Sequence, residues 1–472
     1  MANYVPELVE QLYTRSLRLT LCWDSANHTP LEDELQGLAY YLGGNSPWIP
    51  KKRNVSRQAI EPPEGCQVEQ VHMISRHAER YPTINAGTRH LSLLQRLAES
   101  RNALSPVFDF LANWTYFTSV DRPAFEQLTS TSQNAGTLEA FNTGVKLRTR
   151  YPHLIPANGS TRIWSASSPR DVATARYFAD GFFGREWEKN AVAELEVVPE
   201  TMDRGADTLT PGDTCLNYVE DTVEGHDKGY GVLAHWQKVY IRRIIEHLQT
   251  ANSNMTFTPV DVYSMMEMCG FEMLARDGIS PWCGLFDQEA WLDFEYARDL
   301  LHFYRAGPGN RFSKVMGMLW LNATLSLLEQ GSSAGTLFFS FVHDGDIIPI
   351  LSALGYPAGY DNEPCETKMP SDTLVLDRAY RTSDITPMGG RIILERLQCE
   401  SAGSQEIYVR LNINDGIVPI GHDTSGPGHS TTLQDFKDYL MVRAKMAGDF
   451  REVCGLEMSA PSKITFLHQG KG

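Results

Sequence analysis

At 472 residues the chain is too long for one compact core, which points to two domains or to one large domain with insertions. Apolar residues make up 42% of it, ample for a globular protein, and no run approaches the ~20 apolar residues that span a bilayer. The formal net charge of -16 opposes nucleic acid and anionic membranes as partners, and opposes a phosphorylated ligand unless positive charge is concentrated at one site.

Eight cysteines, Cys22, Cys66, Cys215, Cys269, Cys283, Cys365, Cys399 and Cys454, occur without a CxxC pair, so zinc ribbons and dithiol redox motifs have no support. An even number at long separations fits structural disulfides of an oxidising compartment, although eight reduced thiols would give the same count. Six sequons, at Asn27, Asn54, Asn113, Asn158, Asn254 and Asn322, favour a secreted glycoprotein.

In chain order, residues 1–41 read as a peripheral extension, and Glu7 and Glu10 leave no continuous apolar core that could serve as a secretory leader. A turn-rich stretch, Leu42 to Trp48, leads to a strand over Gln67 to Ser75, where Val71 and Met73 alternate with polar neighbours as half-buried strands do. Arg76-His77-Ala78-Glu79-Arg80-Tyr81-Pro82 follows directly. In α/β sheets ligands bind where loops leave the carboxyl ends of strands. Two guanidiniums there can clamp a phosphate, and an imidazole between them can attack it. Leu91, Leu94 and Ala98 predict a helix next, and Leu138, Phe141 and Val145 another that ends at Tyr151-Pro152.

Arg162 to Ser165 reads as a short strand, and Ser168-Pro169 as the N-cap and first position of a helix with Val172, Ala175, Ala179 and Phe182 on its apolar face. Gly184 can end it. Arg170 then sits in the first turn, where the helix dipole gives a cation nothing, so a bound phosphate is one reason for it and a solvated surface arginine the other. Residues 185–310 hold further helices, one with Ile241, Ile244, Ile245 and Leu248 in a stripe and one with Trp291, Phe294 and Leu301; Met265, Met266 and Met268 read as core filling. Thr336 to Val342 is nearly unbroken in apolar character, as suits a central strand, and ends in His343-Asp344-Gly345-Asp346, whose first carboxylate can serve as a general acid. A second pair, His422-Asp423, lies among glycines and reads as a loop; Thr432 and Asp435 then open a last helix.

Arg76-His77-x-x-Arg80-x-Pro82 with His343-Asp344 far downstream resembles the signature of the histidine acid phosphatases, and most closely the fungal secreted acid phosphatases and phytases. Leu42 to Pro47, Phe178 to Gly184, Asp299-Leu300 to Gly309 and Asn414 to Gly428 look similar as well, so the likeness covers roughly residues 40 to 458. The resemblance implies an α/β fold, a mostly parallel sheet with flanking helices (42–95, 160–210 and 295–472) plus an inserted helical cap domain (96–159 and 211–294). It implies His77 as nucleophile, Arg76, Arg80, Arg170 and His343 as phosphate ligands, and Asp344 as proton donor. It also implies disulfides Cys66–Cys399, Cys215–Cys454 and Cys269–Cys283, and assigns no partner to Cys22 or Cys365.

One letter departs from the family: Ala78 stands where it has glycine, which matters if the position needs positive φ or backbone close to substrate. The function implied is a secreted acid phosphatase of broad specificity, acting on small phosphate monoesters through a phosphohistidine, with no metal or cofactor and with oligomerisation left open. The chemistry agrees: clustered arginines keep His77 neutral in acid, and Asp344 must be protonated to act. Alternatives are a phytase, disfavoured because the family's phytases tend to have asparagine where Gly345 follows His343-Asp344; an anion-binding glycoprotein weakened by Ala78; and a cytoplasmic phosphoglycerate-mutase-like enzyme, disfavoured by the sequons.

Overall fold

The structure, a computed structural model, describes residues 37–101, 104–156, 160–252, 255–360, 368–401, 404–421 and 424–469. Nearly all of the 1–41 extension, with Cys22 and Asn27, lies outside these, as do Asn158, Asn254, Cys365 and the pair His422-Asp423. The body described here is the compact unit Ala39–Gly472.

Its main elements begin with β1 (Cys66–Arg76), α1 (Ile84–Glu99), α2 (Gly136–Arg150), β2 (Thr161–Ala166), α3 (Pro169–Phe183) and β3 (Ala193–Val198). The helices α4 (Lys228–Ala251), α5 (Pro259–Ala275), α6 (Gln288–Arg305) and α7 (Ser313–Gln330) follow, then β4 (Leu337–Val342) and α8 (Asp344–Ala353). The chain closes with β5 (Arg391–Ser401), β6 (Ser404–Ile413), β7 (Gly416–Val418), β8 (Thr431–Thr432) and α9 (Leu433–Ala447).

The sheet runs β3-β2-β4-β1-β5-β6-β7, with β8 on β6. The first four strands are parallel, as expected for an α/β core; β5 to β8 extend it antiparallel, an edge that hydrophobic periodicity did not reveal. β1 is central and buried on both faces rather than half-buried. Its polar letters are satisfied internally: the His72 Nε2–H donates to Gln70 Oε1 at 2.9 Å, the Gln70 amide donates to the Gly331 and Gly335 carbonyls, and the His72 ring stacks on Phe338. Burial drives the His72 pKa down to about 3, so it packs as a neutral ring.

Helices form where periodicity places them, but two turn a different face inward. α1 buries Ala86, His90, Leu93 and Leu97, and leaves Ala98 exposed. α2 buries Gly136, Ala140, Thr143, Gly144 and Leu147, while Leu138 and Val145 of the predicted stripe face out. Small residues win there because α2 packs against α3 at backbone distance: a Cβ on Gly144 would lie 2.1 Å from the Phe178 carbonyl oxygen, and one on Gly181 2.1 Å from that of Phe141. α2 thus belongs to the sheet layer and not to the helical cap, because Leu147, Tyr151 and Leu154 share one core with Phe178, Phe182, Phe339 and Phe341. Ile241, Ile244 and Leu248 of α4, Trp291, Phe294 and Leu301 of α6, and the three methionines of α5 are buried as expected.

All three implied disulfides are present, and Cys66–Cys399 joins partners already paired across β1 and β5. Of the sequons, Asn54, Asn113 and Asn322 are described, and each is exposed. Among the described residues no helix is long and apolar enough to cross a membrane.

Candidate active site

Parallel pairing brings the carboxyl ends of four strands to one edge. Arg76 of β1 is level with Val342 of β4, Ser165 of β2 with Phe341, and Ala166 with Val198 of β3. The segments leaving these ends carry His77, His343, Arg170 and Glu200 respectively. Arg76, His77, Arg80, Arg170, His343 and Asp344 all line one cavity of about 1010 Å³.

The arginine loop is pinned rather than free. The Thr129 N–H donates to the Glu79 carbonyl, the Tyr81 N–H to that of Gln127, and the Ala78 N–H to the Thr174 hydroxyl, which in turn donates to the Arg170 carbonyl. The last chain ties the loop to the first turn of α3.

His77 has a defined tautomer. A carbonyl only accepts, so the contact of Nδ1 with the Ala78 oxygen at 2.9 Å puts the proton on Nδ1. The Nε2 lone pair is left to the cavity side, 3.4 Å from Arg80 Nε. Burial, followed by the charges of Arg76, Arg80, Arg170 and His343, holds the ring well below its ordinary pKa and keeps it neutral in acid.

Arg76 is committed to the scaffold: Nη1 donates to the Gly44 and Thr386 carbonyls at 2.6 and 2.7 Å, and Nη2 lies 2.9 Å from Asp344 Oδ2. Only its buried Nε lacks a protein partner among the described residues. Within the Leu42–Pro47 stretch, Gly44 supplies one of the two carbonyls that hold this guanidinium. Arg170 sits at the second position of α3 as predicted, with Nη2 3.2 Å from His343 Nδ1. Ser168 is the N-cap, but its N–H and hydroxyl bond to Glu200 at 2.5 and 3.2 Å instead of capping the helix by its side chain.

His343 caps α8, and Asp344 is the first residue of that helix. His343 Nε2 is 3.2 Å from Glu200 Oε2, and Nδ1 3.2 Å from Asp171 Oδ2. Burial alone would lower its pKa; Asp171, Glu200 and Asp346 outweigh that and Arg170, and hold it at about 9, so it is an imidazolium. Glu200 responds in kind: burial would raise it, but His343 and the Ser168 N–H bring it down to about 2.

Asp344, which must be protonated to act as an acid, is held in the opposite state. Burial acts to raise its pKa, but Arg76, His302 and Arg305 overcome it and hold the carboxyl well below its usual range. The two guanidiniums keep Asp344 as a carboxylate.

Residues 67–414 match the family described as the histidine phosphatase superfamily (branch 2). That span is more than half of the chain. The chain belongs to this family. It is 32% identical over 444 residues to phytase PHO112 of Candida albicans, with 93% of this chain and 92% of that protein covered. To the constitutive acid phosphatase of Saccharomyces cerevisiae it is 30% identical, covering 90% and 88%. The solved phytase of D. castellii superposes with a TM-score of 0.82 at 30% identity, covering 91% of this chain and 90% of that one.

As a histidine phosphatase the chain still departs at Ala78, and the structure shows what that costs. Ala78 lies outside the left-handed region of φ, is fully buried with Leu128 and Ala140, and is not among the residues that line the cavity. The alanine fills a small apolar contact without strain.

Several residues that line the cavity or contact His343 escaped the motif reading. Arg298, His302 and Arg305 all come from α6; Arg305 Nη1 is 3.4 Å from Asp344 Oδ1, and the Arg305 Nε–H donates to His226. The Asp299 to Gly309 likeness contained two of the three and was the available signal. Asp171 and Glu200 had none, since single acidic residues after a strand or in a first helical turn are commonplace.

Proposed function

We propose that the protein is an acid phosphatase that hydrolyses small phosphate monoesters through a phosphohistidine on His77. The observation that carries this is the His77 ring, with its proton tied to the Ala78 carbonyl and its Nε2 lone pair turned toward Arg80. A phosphoryl group seated among Arg80, Arg170, His343 and the free Nε of Arg76 has its oxygens neutralised, and in-line attack by Nε2 breaks the ester P–O bond. Asp344 hands a proton to the departing alcohol, and its carboxylate then takes one from the water that hydrolyses the phosphohistidine.

The depressed pKa of Asp344 means that its proton has to arrive with the substrate. A phosphate ester below its second pKa of ~6 is a monoanion that carries that proton, and its charge offsets the arginine field around Asp344. Three described sequons on the surface and three disulfides support secretion of a glycoprotein. Relatives named phytase support a second reading, in which inositol hexakisphosphate is the ester.

Acid-labile, base-stable trapping of labelled phosphate tests the mechanism: wild type should carry the label on a His77 peptide, and His77→Ala should carry none and turn nothing over. Full activity of His77→Ala would overturn it.

A further inference from the structure

We propose that the outer part of the cavity is a leaving-group subsite for the apolar portion of a singly phosphorylated ester, with Ile84, Val219, Tyr230 and Val260 as its lip. The inference rests on the phosphatase reading above and narrows it to monoesters of alkyl and aryl alcohols.

The four side chains line the same cavity as His77, yet they are 59%, 49%, 46% and 51% exposed. Single exposed apolar residues need no explanation, but several gathered around one opening make a patch that something apolar can cover. They arrive from separate segments: Ile84 begins α1, Val260 is the second residue of α5, Tyr230 lies in the first turn of α4, and Val219 in the short helix Leu216–Glu220. Leu233 and Leu301 continue the apolar surface inside.

Charge selects the same class. Among the described residues the cavity is lined by six arginines and by six acidic side chains, Glu126, Glu200, Asp213, Glu267, Asp344 and Asp346, and by no lysine. The arginines that act on His77 are Arg76, Arg80 and Arg170, so positive charge is gathered where one phosphate sits. Arg89 is already bound to buried Glu267 at 2.8 Å, and Arg298 donates to the Tyr263 hydroxyl at 2.9 Å. Arg305 lies 3.4 Å from Asp344, so further phosphates on the same ligand would find these three arginines already engaged with protein groups.

The test is kcat/KM along an alkyl series, ethyl, butyl and hexyl phosphate, whose leaving groups are nearly equal in acidity and differ only in apolar length. Full burial of a methylene is worth about fourfold, so a half-exposed lip should give about twofold each, or roughly fifteenfold from ethyl to hexyl. In the double variant Ile84→Ser, Val260→Ser the slope should flatten, and because the slope is a ratio within one preparation, partial loss of folded enzyme cancels. Inositol hexakisphosphate should fall below hexyl phosphate for the wild type. A flat or falling wild-type series, a slope retained in the double variant, or inositol hexakisphosphate above hexyl phosphate overturns this inference and leaves the phosphatase reading standing. No turnover of any ester overturns both.

Discussion

Arg76 Nη2 lies 2.9 Å from Asp344 Oδ2, so the proposed proton donor is held as a carboxylate by a residue of the proposed nucleophile's own motif. Two consequences can be measured.

Asp344→Asn should lower kcat on alkyl phosphates by about 10²- to 10⁴-fold, the usual worth of a general acid, and much less on p-nitrophenyl phosphate, whose leaving group scarcely needs a proton. In the wild type the falling limb of kcat/KM against pH should follow the second pKa of each substrate, since Arg76 and Arg305 hold the Asp344 carboxyl well below its ordinary range. Esters of differing phosphate pKa decide the point: a limb fixed at one pH for all of them would place the proton on the free enzyme.

Glu200→Gln keeps a bond to the Ser168 N–H but removes one of the two carboxylates against His343. His343 faces Asp171 and Arg170 from α3, Glu200 from the segment after β3, Asp346 from its own helix and the His77 ring at 6.0 Å. Its cation, held in the wild type up to about 9, should be lost at lower pH in the variant. The ratio of phosphate inhibition constants, variant over wild type, should therefore stay near one in acid and climb as pH rises above neutrality. A ratio that does not change with pH would make Glu200 a purely structural support for α3.

Gly144→Ala should destabilise by about 1–3 kcal/mol, the range for overpacking, because its Cβ would meet the Phe178 carbonyl at 2.1 Å. Any retreat of α3 carries Arg170 with it, so KM should rise along with the fall in Tm. Gly231→Ala is the control: it lies in α4 with nothing within 4 Å of the added Cβ, and its Tm should hold or rise. Thermal unfolding of both variants checks the contrast.

The letters proposed for catalysis could be picked out because their chemistry is local. Arg76, His77 and Arg80 sit in one loop beside a strand, His343 and Asp344 in another, and Arg170 is marked by the Ser168-Pro169 helix start. The faces of α1 and α2 could not, since the helix that packs closest uses glycine and threonine, which carry no hydrophobic signal. The antiparallel edge was missed for a related reason: a buried Arg410–Glu395 pair at 2.7 Å puts charged letters inside strands β5 and β6.

By itself the amino-acid sequence determined which groups could attack, bind and protonate a phosphate, because reactivity belongs to side chains and adjacency in a loop preserves it. Only the tertiary structure decided their ionisation. The low pKa of Asp344 comes from Arg76, 268 positions away in the chain, and from Arg305 of α6, and the imidazolium of His343 comes from Asp171 and Glu200 on two other segments. Electrostatic fields depend on distance through space and on exclusion of water, and neither quantity is written in the order of residues.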